Sequence, residues 1–95
     1  MYVRLSLHKP RPGQFDAVKE LQEGVLEALK ASKGCRQAHL LRPLDDSGEI
    51  GRLSLWDSEE AAEEAAQGQH TMALRSQIGL LVEGVGTERA FETQA

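Results

Sequence analysis

Residues Tyr2 to His8 read Y-V-R-L-S-L-H, and that strict alternation suits a strand and little else. Val3, Leu5 and Leu7 fall on one face; Tyr2, Arg4, Ser6 and His8 fall on the other. The run ends at Lys9-Pro10-Arg11-Pro12-Gly13, where two prolines remove ladder donors. The period then changes. Phe15, Val18, Leu21, Gln22, Val25, Leu26 and Leu29 recur at three- and four-residue steps, the stripe of an amphipathic helix with Gln22 as its one polar member. Gly34 is placed to close this helix in a left-handed cap. Gly24, in mid-helix, costs about 1 kcal/mol relative to Ala, so either another backbone packs closely there or the cost is tolerated.

Cys35 to Arg42 reads as a second strand stopped by Pro43, and Asp45-Asp46-Ser47-Gly48 as a turn. Glu49 to Trp56 is a third strand, with Gly51, Leu53 and Leu55 on one face and Ile50, Arg52, Ser54 and Trp56 on the other. The short link between these strands predicts an antiparallel hairpin. Asp57 and Ser58 start a second helix, with Glu59 and Glu60 in its positive first turn. Its apolar positions, Ala61, Ala62, Ala65 and Ala66, are small and permit close approach to a sheet, and Gly68 ends it. A third helix is expected from about His70 to Glu83, with Leu74, Ile78, Leu81 and Val82 inward and Gly84 as the stop. Val85 to Thr93 alternates again as a last strand. The order β-α-β-β-α(α)-β, with right-handed crossovers, predicts an α+β ferredoxin-like sandwich: a four-stranded antiparallel sheet in the order 4-1-3-2, with helices on one face. At 95 residues the chain has room for one core, so 1–95 is a single domain.

Composition excludes several function classes. No apolar run approaches the ~20 residues of a bilayer span, and Met1 to His8 lacks the apolar stretch of a signal peptide. The formal charge of −4 gives no global electrostatic reason to bind nucleic acid. A single cysteine, Cys35, forms no internal disulfide, and the cytoplasm is the expected compartment.

The predicted layout poses a question of cover. If the helices lie over Val3, Leu5, Leu7, Leu53 and Leu55, the other face of the two central strands carries Tyr2, Arg4, Ser6, His8, Ile50, Arg52, Ser54 and Trp56. That mixture is too polar for a dry core and too aromatic and aliphatic for an ordinary solvated face. A second copy, packed sheet to sheet about a two-fold axis, would bury it around a partly polar chamber. The alternative is an open-faced monomer with a solvated sheet.

The stretch Leu53-Ser54-Leu55-Trp56-Asp57-Ser58-Glu59-Glu60-Ala61 resembles the strand-to-helix junction of the antibiotic biosynthesis monooxygenase family: an apolar strand ending in Trp, then Ser or Asp with Glu, then Ala. Gln69-His70-Thr71-Met72-Ala73-Leu74 resembles that family's His at the start of its third helix, and Pro12-Gly13-Gln14-Phe15 and Gly34-Cys35 also fit. The resemblance implies a dimeric α+β barrel, so a homodimer, with a substrate pocket in each protomer between sheet and helices or within the barrel. It implies cofactor-independent oxidation of a small aromatic or quinol-like molecule, by a base that forms an electron-rich carbanion or phenolate able to reduce oxygen directly. One branch of the family degrades haem with an Asn, a Trp and a His. This chain has no Asn, which disfavours that chemistry. A non-catalytic dimeric barrel that binds a small metabolite is the rival reading, since fold does not dictate function.

The candidate site residues follow. His70 and His8 are the candidate bases, with ordinary His pKa values near working pH. The other reading of His70 is an exposed residue at a helix start, and of His8 a hydrogen-bonding group across the dimer. Arg4 and Arg52, on adjacent strands of one face with Ser6, suit a carboxylate or enolate, or a partner's Glu. Trp56 is either a flat ligand wall with a free indole N–H or a packing anchor. His8, His39 and His70 have no metal-ligand spacing, so no metal is expected. Cys35 reads as a buried inert thiol, and the Glu59, Glu60, Glu63, Glu64 cluster as the wet face of a helix.

Overall fold

Alternation and helical period divide the chain largely as expected. The structure, a computed structural model, describes residues 1–94. Its elements are β1 (Tyr2–Pro10), α1 (Phe15–Lys30), β2 (Cys35–Leu41), β3 (Ile50–Trp56), α2 (Glu59–Ala66), α3 (Gln69–Leu81) and β4 (Val82–Glu92). The sheet order β2-β3-β1-β4 is the predicted 4-1-3-2 seen from the other edge, and every pairing is antiparallel. Ser58 caps α2 by accepting the Ala61 N–H at 3.1 Å. Gly34 has a positive φ, 85°, but does not close the first helix: α1 ends at Lys30 with Ala31 as its right-handed cap, and Gly34 lies in the turn into β2.

Two boundaries differ. The third helix ends at Leu81 rather than near Glu83, and β4 starts at once with Val82. Val82 is extended (φ −117°, ψ 158°) and pairs with Pro10, while Arg11 N–H donates to Leu81 O at 2.8 Å. These bonds pull the chain into the sheet before Gly84 is reached, so Gly84 lies within a strand instead of stopping a helix. β1 correspondingly runs past His8 to Pro10, with a register shift between Leu7 and Lys9. Gly24 is crossed by a side chain, not a backbone: a Cβ there would lie 3.2 Å from Leu74 Cδ1.

The larger correction concerns which sheet face is covered. The core unites Val18, Val25 and Leu29 of α1, Ala62 of α2 and Ile78 of α3 with Ile50, Trp56 and Val82 of the sheet. The helices therefore lie over the mixed face, the one carrying Tyr2, Arg4, Ser6, His8, Ile50, Arg52, Ser54 and Trp56. The leucine face, expected under the helices, is bare. Polarity misled because the covered face is not packed dry. Its polar groups have partners, Arg52 Nη1 donating to Gln22 Oε1 at 2.6 Å and Trp56 Nε1 to Ser54 Oγ at 2.8 Å, and part of it encloses a cavity. The bare face pairs Val3 with Leu55, Leu5 with Leu53 and Leu7 with Gly51 down its centre. Strand register flanks it with Thr87, Arg89 and Phe91 on one side and Gln37, His39 and Leu41 on the other. No helix of the described residues is long and apolar enough to cross a membrane.

Candidate active site

The cavity lies between the sheet and all three helices and holds about 270 Å³. Its floor is Tyr2, Arg4 and Ser6 of β1, Arg52, Ser54 and Trp56 of β3, and Glu88 and Ala90 of β4. Its roof is Val25 and Leu29 of α1, Ala62 and Ala66 of α2, and Thr71 and Arg75 of α3. The small residues of α2 are what leave this room: Ala62 touches the core, but no long side chain follows it into the gap. Glu88 and Ala90 are exposed, so the β4 side is the open side. A second chamber of about 320 Å³ adjoins the first and shares Arg52, Arg75 and Glu88 with it. It adds His8, Met72, Ser76, Ile78 and Gly79.

Trp56 is 1% exposed and forms a wall of the first chamber. Its indole N–H is already given to Ser54, so it serves as anchor and wall but offers no free donor. Arg4 Nε donates to the Tyr2 hydroxyl at 3.2 Å, and its Nη2 stands 3.9 Å from Glu63 Oε1. Arg52 has no carboxylate within ion-pair distance among the described residues; its one bond goes to the amide oxygen of buried Gln22. Burial first, then the positive charge of Arg75, lowers the Arg52 pKa to about 10, and Glu88 opposes the shift. The group remains a cation at neutral pH.

Ser6 links the chambers. Its hydroxyl lies 3.4 Å from Glu88 Oε1 and 3.2 Å from His8 Nε2. His8 Nδ1 is buried without a hydrogen-bond partner. It sits against Gly86 (φ 70°), where an added Cβ would lie 2.6 Å from Nδ1. Burial is the main cause that lowers the His8 pKa, and the charge of Arg52 adds to it, with Glu88 opposing. His8 is therefore neutral at neutral pH and free to accept a proton.

Of the residues singled out in the sequence, Trp56, Arg4, Arg52 and Ser6 meet on one cavity, and His8 lines its neighbour. His70 lies apart, exposed in the first turn of α3. His39 is exposed on edge strand β2, 3.0 Å from Gln37 Oε1. Cys35 is half-buried rather than buried, and burial raises its pKa, which keeps the thiol protonated. Sequence reasoning marked Gln22 as the one polar member of its helix stripe but gave it no role, and passed over Thr71, Arg75 and Glu88 as site residues. Thr71, Arg75 and Ile78 recur at helical spacing, so one face of α3 already carried the signal. Glu88 becomes visible only once its pairing with Ser6 is known.

The family model described as antibiotic biosynthesis monooxygenase matches residues 1–76. No curated protein matches the chain. Among solved structures, Rv0793 from Mycobacterium tuberculosis is 22% identical with a TM-score of 0.90, covering 99% of this chain and 95% of its own. PA3566 from Pseudomonas aeruginosa is 18% identical with a TM-score of 0.85, covering 99% and 94%. SnoaB, a cofactor-independent oxygenase from Streptomyces nogalater, is 12% identical with a TM-score of 0.85, covering 99% and 93%. At these identities the likeness is one of fold.

Proposed function

The chain belongs to the antibiotic biosynthesis monooxygenase family, and on that premise we propose that it oxidises a small aromatic or quinol-like molecule with molecular oxygen and no cofactor. The observation that carries this reading is the convergence of a flat wall, Trp56, two cations, Arg4 and Arg52, and a hydroxyl, Ser6, on one open cavity. A barrel that served only for assembly, filled by its own side chains, would lack such a space. In this proposal the ring lies against Trp56 and gives a proton to Ser6 Oγ while Ser6 passes its own to His8 Nε2 (with the other ring proton on Nδ1). The imidazolium so formed is offset by Glu88, and the substrate anion by Arg52. The anion then reduces oxygen directly. One oxygen atom enters the ring, and the other leaves as water with the two hydrogens that the substrate gives up.

The same proposal makes the protein a homodimer through its bare leucine face. Leu5, Leu7, Leu53 and Leu55 stay only partly buried in a single chain, and a small chain gains core by covering them. The expected setting is the cytoplasm, on the strength of the single cysteine.

Oxygen uptake with a panel of hydroquinones tests the reading. His8→Ala is expected to slow uptake by roughly 10²-fold, the usual worth of a general base, and His70→Ala to change it less than about twofold. The reverse ranking would move the base to α3, and no uptake with any member would remove the oxygenase.

A further inference from the structure

We propose that the cavity takes a ligand that already carries a carboxylate: an aromatic acid whose ring lies along Trp56 and whose anionic group sits between Arg52 and Arg75. This deepens the oxygenase reading by naming a substrate class, and it rests on that reading only where it calls the ligand a substrate.

The positive charge on the cavity wall is not compensated. The chain is acidic overall, at −4, yet three of its seven arginines, Arg4, Arg52 and Arg75, present guanidinium groups to one cavity. A fourth lining residue, Arg89, has its guanidinium 4.9 Å over the Phe91 ring, on the bare face of the sheet. Among the lining residues Glu88 is the only carboxylate. Arg75 Nη2 stands 3.9 Å from it, and Arg4 stands 3.9 Å from Glu63 outside the cavity. Arg52 has only the neutral Gln22 oxygen. A half-buried guanidinium without a counter-charge is costly, and the group nearest to it in charge, Arg75, repels it. The remaining Arg52 N–H groups are not enclosed by protein, since none is a buried donor without a partner. They reach the chambers that Arg52 lines.

A substrate that is neutral until Ser6 and His8 act on it would leave Arg52 unpaired throughout binding. A fixed carboxylate supplies the missing charge on arrival, and a guanidinium takes it in a paired, planar geometry. The two ends of the cavity also differ in kind. Trp56, Val25, Leu29 and Ala62 form an apolar end that suits a ring, while Arg52 and Arg75 stand together where the two chambers meet. A molecule apolar at one end and anionic at the other fits this polarity.

Titration calorimetry with redox-inert probes tests this without any turnover. 2-Naphthoate is expected to bind about tenfold more tightly than 2-naphthamide, the isostere without the charge, a gap of the size one charge-assisted pair supplies. Arg52→Gln is expected to abolish the gap, and Arg75→Gln to narrow it about threefold. Lys33→Gln, a change of an exposed lysine in the turn between α1 and β2 that lines neither chamber, should leave it intact. A circular dichroism melt establishes that each variant is folded; should Arg52→Gln fail to fold, Arg75→Gln carries the test. Equal binding of acid and amide, binding of neither, or a gap that survives in both folded arginine variants would overturn the proposal. Oxygen uptake with 1,4-dihydroxy-2-naphthoate and its amide separates the two readings. Uptake without an acid preference leaves the oxygenase standing and removes the carboxylate; a preference without uptake does the opposite.

Discussion

The two faces of the sheet are built on opposite plans. Along the two central strands, the face beneath the helices carries Arg4, Arg52, Ser6, Ser54 and His8 beside Tyr2, Ile50 and Trp56; the bare face carries Val3, Leu5, Leu7, Leu53 and Leu55, with Gln37, His39, Thr87 and Arg89 among its edge-strand neighbours. A rule that places the more apolar face inside would exchange them. The covered face tolerates polar groups because most find a partner or reach the cavity, Arg52 with Gln22, Trp56 with Ser54, and Ser6 with Glu88 and His8, while His8 Nδ1 stays unpartnered. The bare face tolerates exposure in one chain because another copy is proposed to cover it. On the function proposed above, hydrophobicity marks the surface for association and polarity the surface for a ligand.

The comparison breaks most sharply at the centre of the bare face. Leu53→Asp sets a carboxylate between Leu5 and His39 in register, one strand away from Arg89. If two copies meet there, burying that charge should weaken the dimer by at least about 10³-fold. Light scattering at micromolar concentration should then read one chain mass in place of two. A native protein that already scatters as one chain would remove the dimer and leave the leucine face unexplained.

On the covered face the matching change is Trp56→Ala. Trp56 is almost wholly buried among Val25, Leu29 and Ala62, and truncation of such a side chain costs about 3–5 kcal/mol. Urea denaturation at two protein concentrations separates the faces. The cost of Trp56→Ala should be much the same at both, whereas that of Leu53→Ala should depend on concentration, because association with a partner contributes by mass action. A concentration-independent cost for Leu53→Ala would mean that the leucines stabilise the single chain alone.

Gly86→Ala touches the boundary between strand and site. Its φ of 70° disfavours any Cβ, and the added atom would press on Leu7 O and on His8 Nδ1. A loss of roughly 1–2 kcal/mol is expected, with a changed His8 resonance. An unchanged His8 signal in a destabilised variant would show that the ring is not held by β4.

Much of this architecture was legible in the sequence because periodicity reports on backbone directly. Alternation in Tyr2 to His8 and in Ile50 to Trp56 reflects real strands, and the stripe from Phe15 to Leu29 a real helix. Periodicity says that two faces differ but not which neighbour each face meets. That choice depends on side-chain pairs between distant elements, such as Arg52 with Gln22, thirty positions apart. The cavity was half legible for the same reason. Arg4, Ser6, Arg52 and Trp56 share a strand face, so alternation groups them. Glu88 joins them only through β4 register, which a shift near Lys9 hides, and Arg75 only through the lie of α3 over the sheet.

The smallest effect expected tests the electrostatics that tie the two chambers together. Burial and the Arg52 charge both lower the His8 pKa, in that order, below its ordinary value of 6.5. The unfolded chain therefore binds more protons than the folded one between the folded pKa and 6.5, and stability rises with pH across that window. The contribution is complete above 6.5 and is lost as pH falls through the folded value. Arg52→Gln removes the second cause and leaves the first, so the His8 pKa should move part of the way back up, and the stability-pH slope in that window should flatten. Histidine ring NMR resolves this, since the chain has only three histidines and the other two, His39 and His70, are exposed. A full return to 6.5 would make Arg52, not burial, the principal cause. No movement at all would uncouple His8 from the cation, and with it the second chamber from the first.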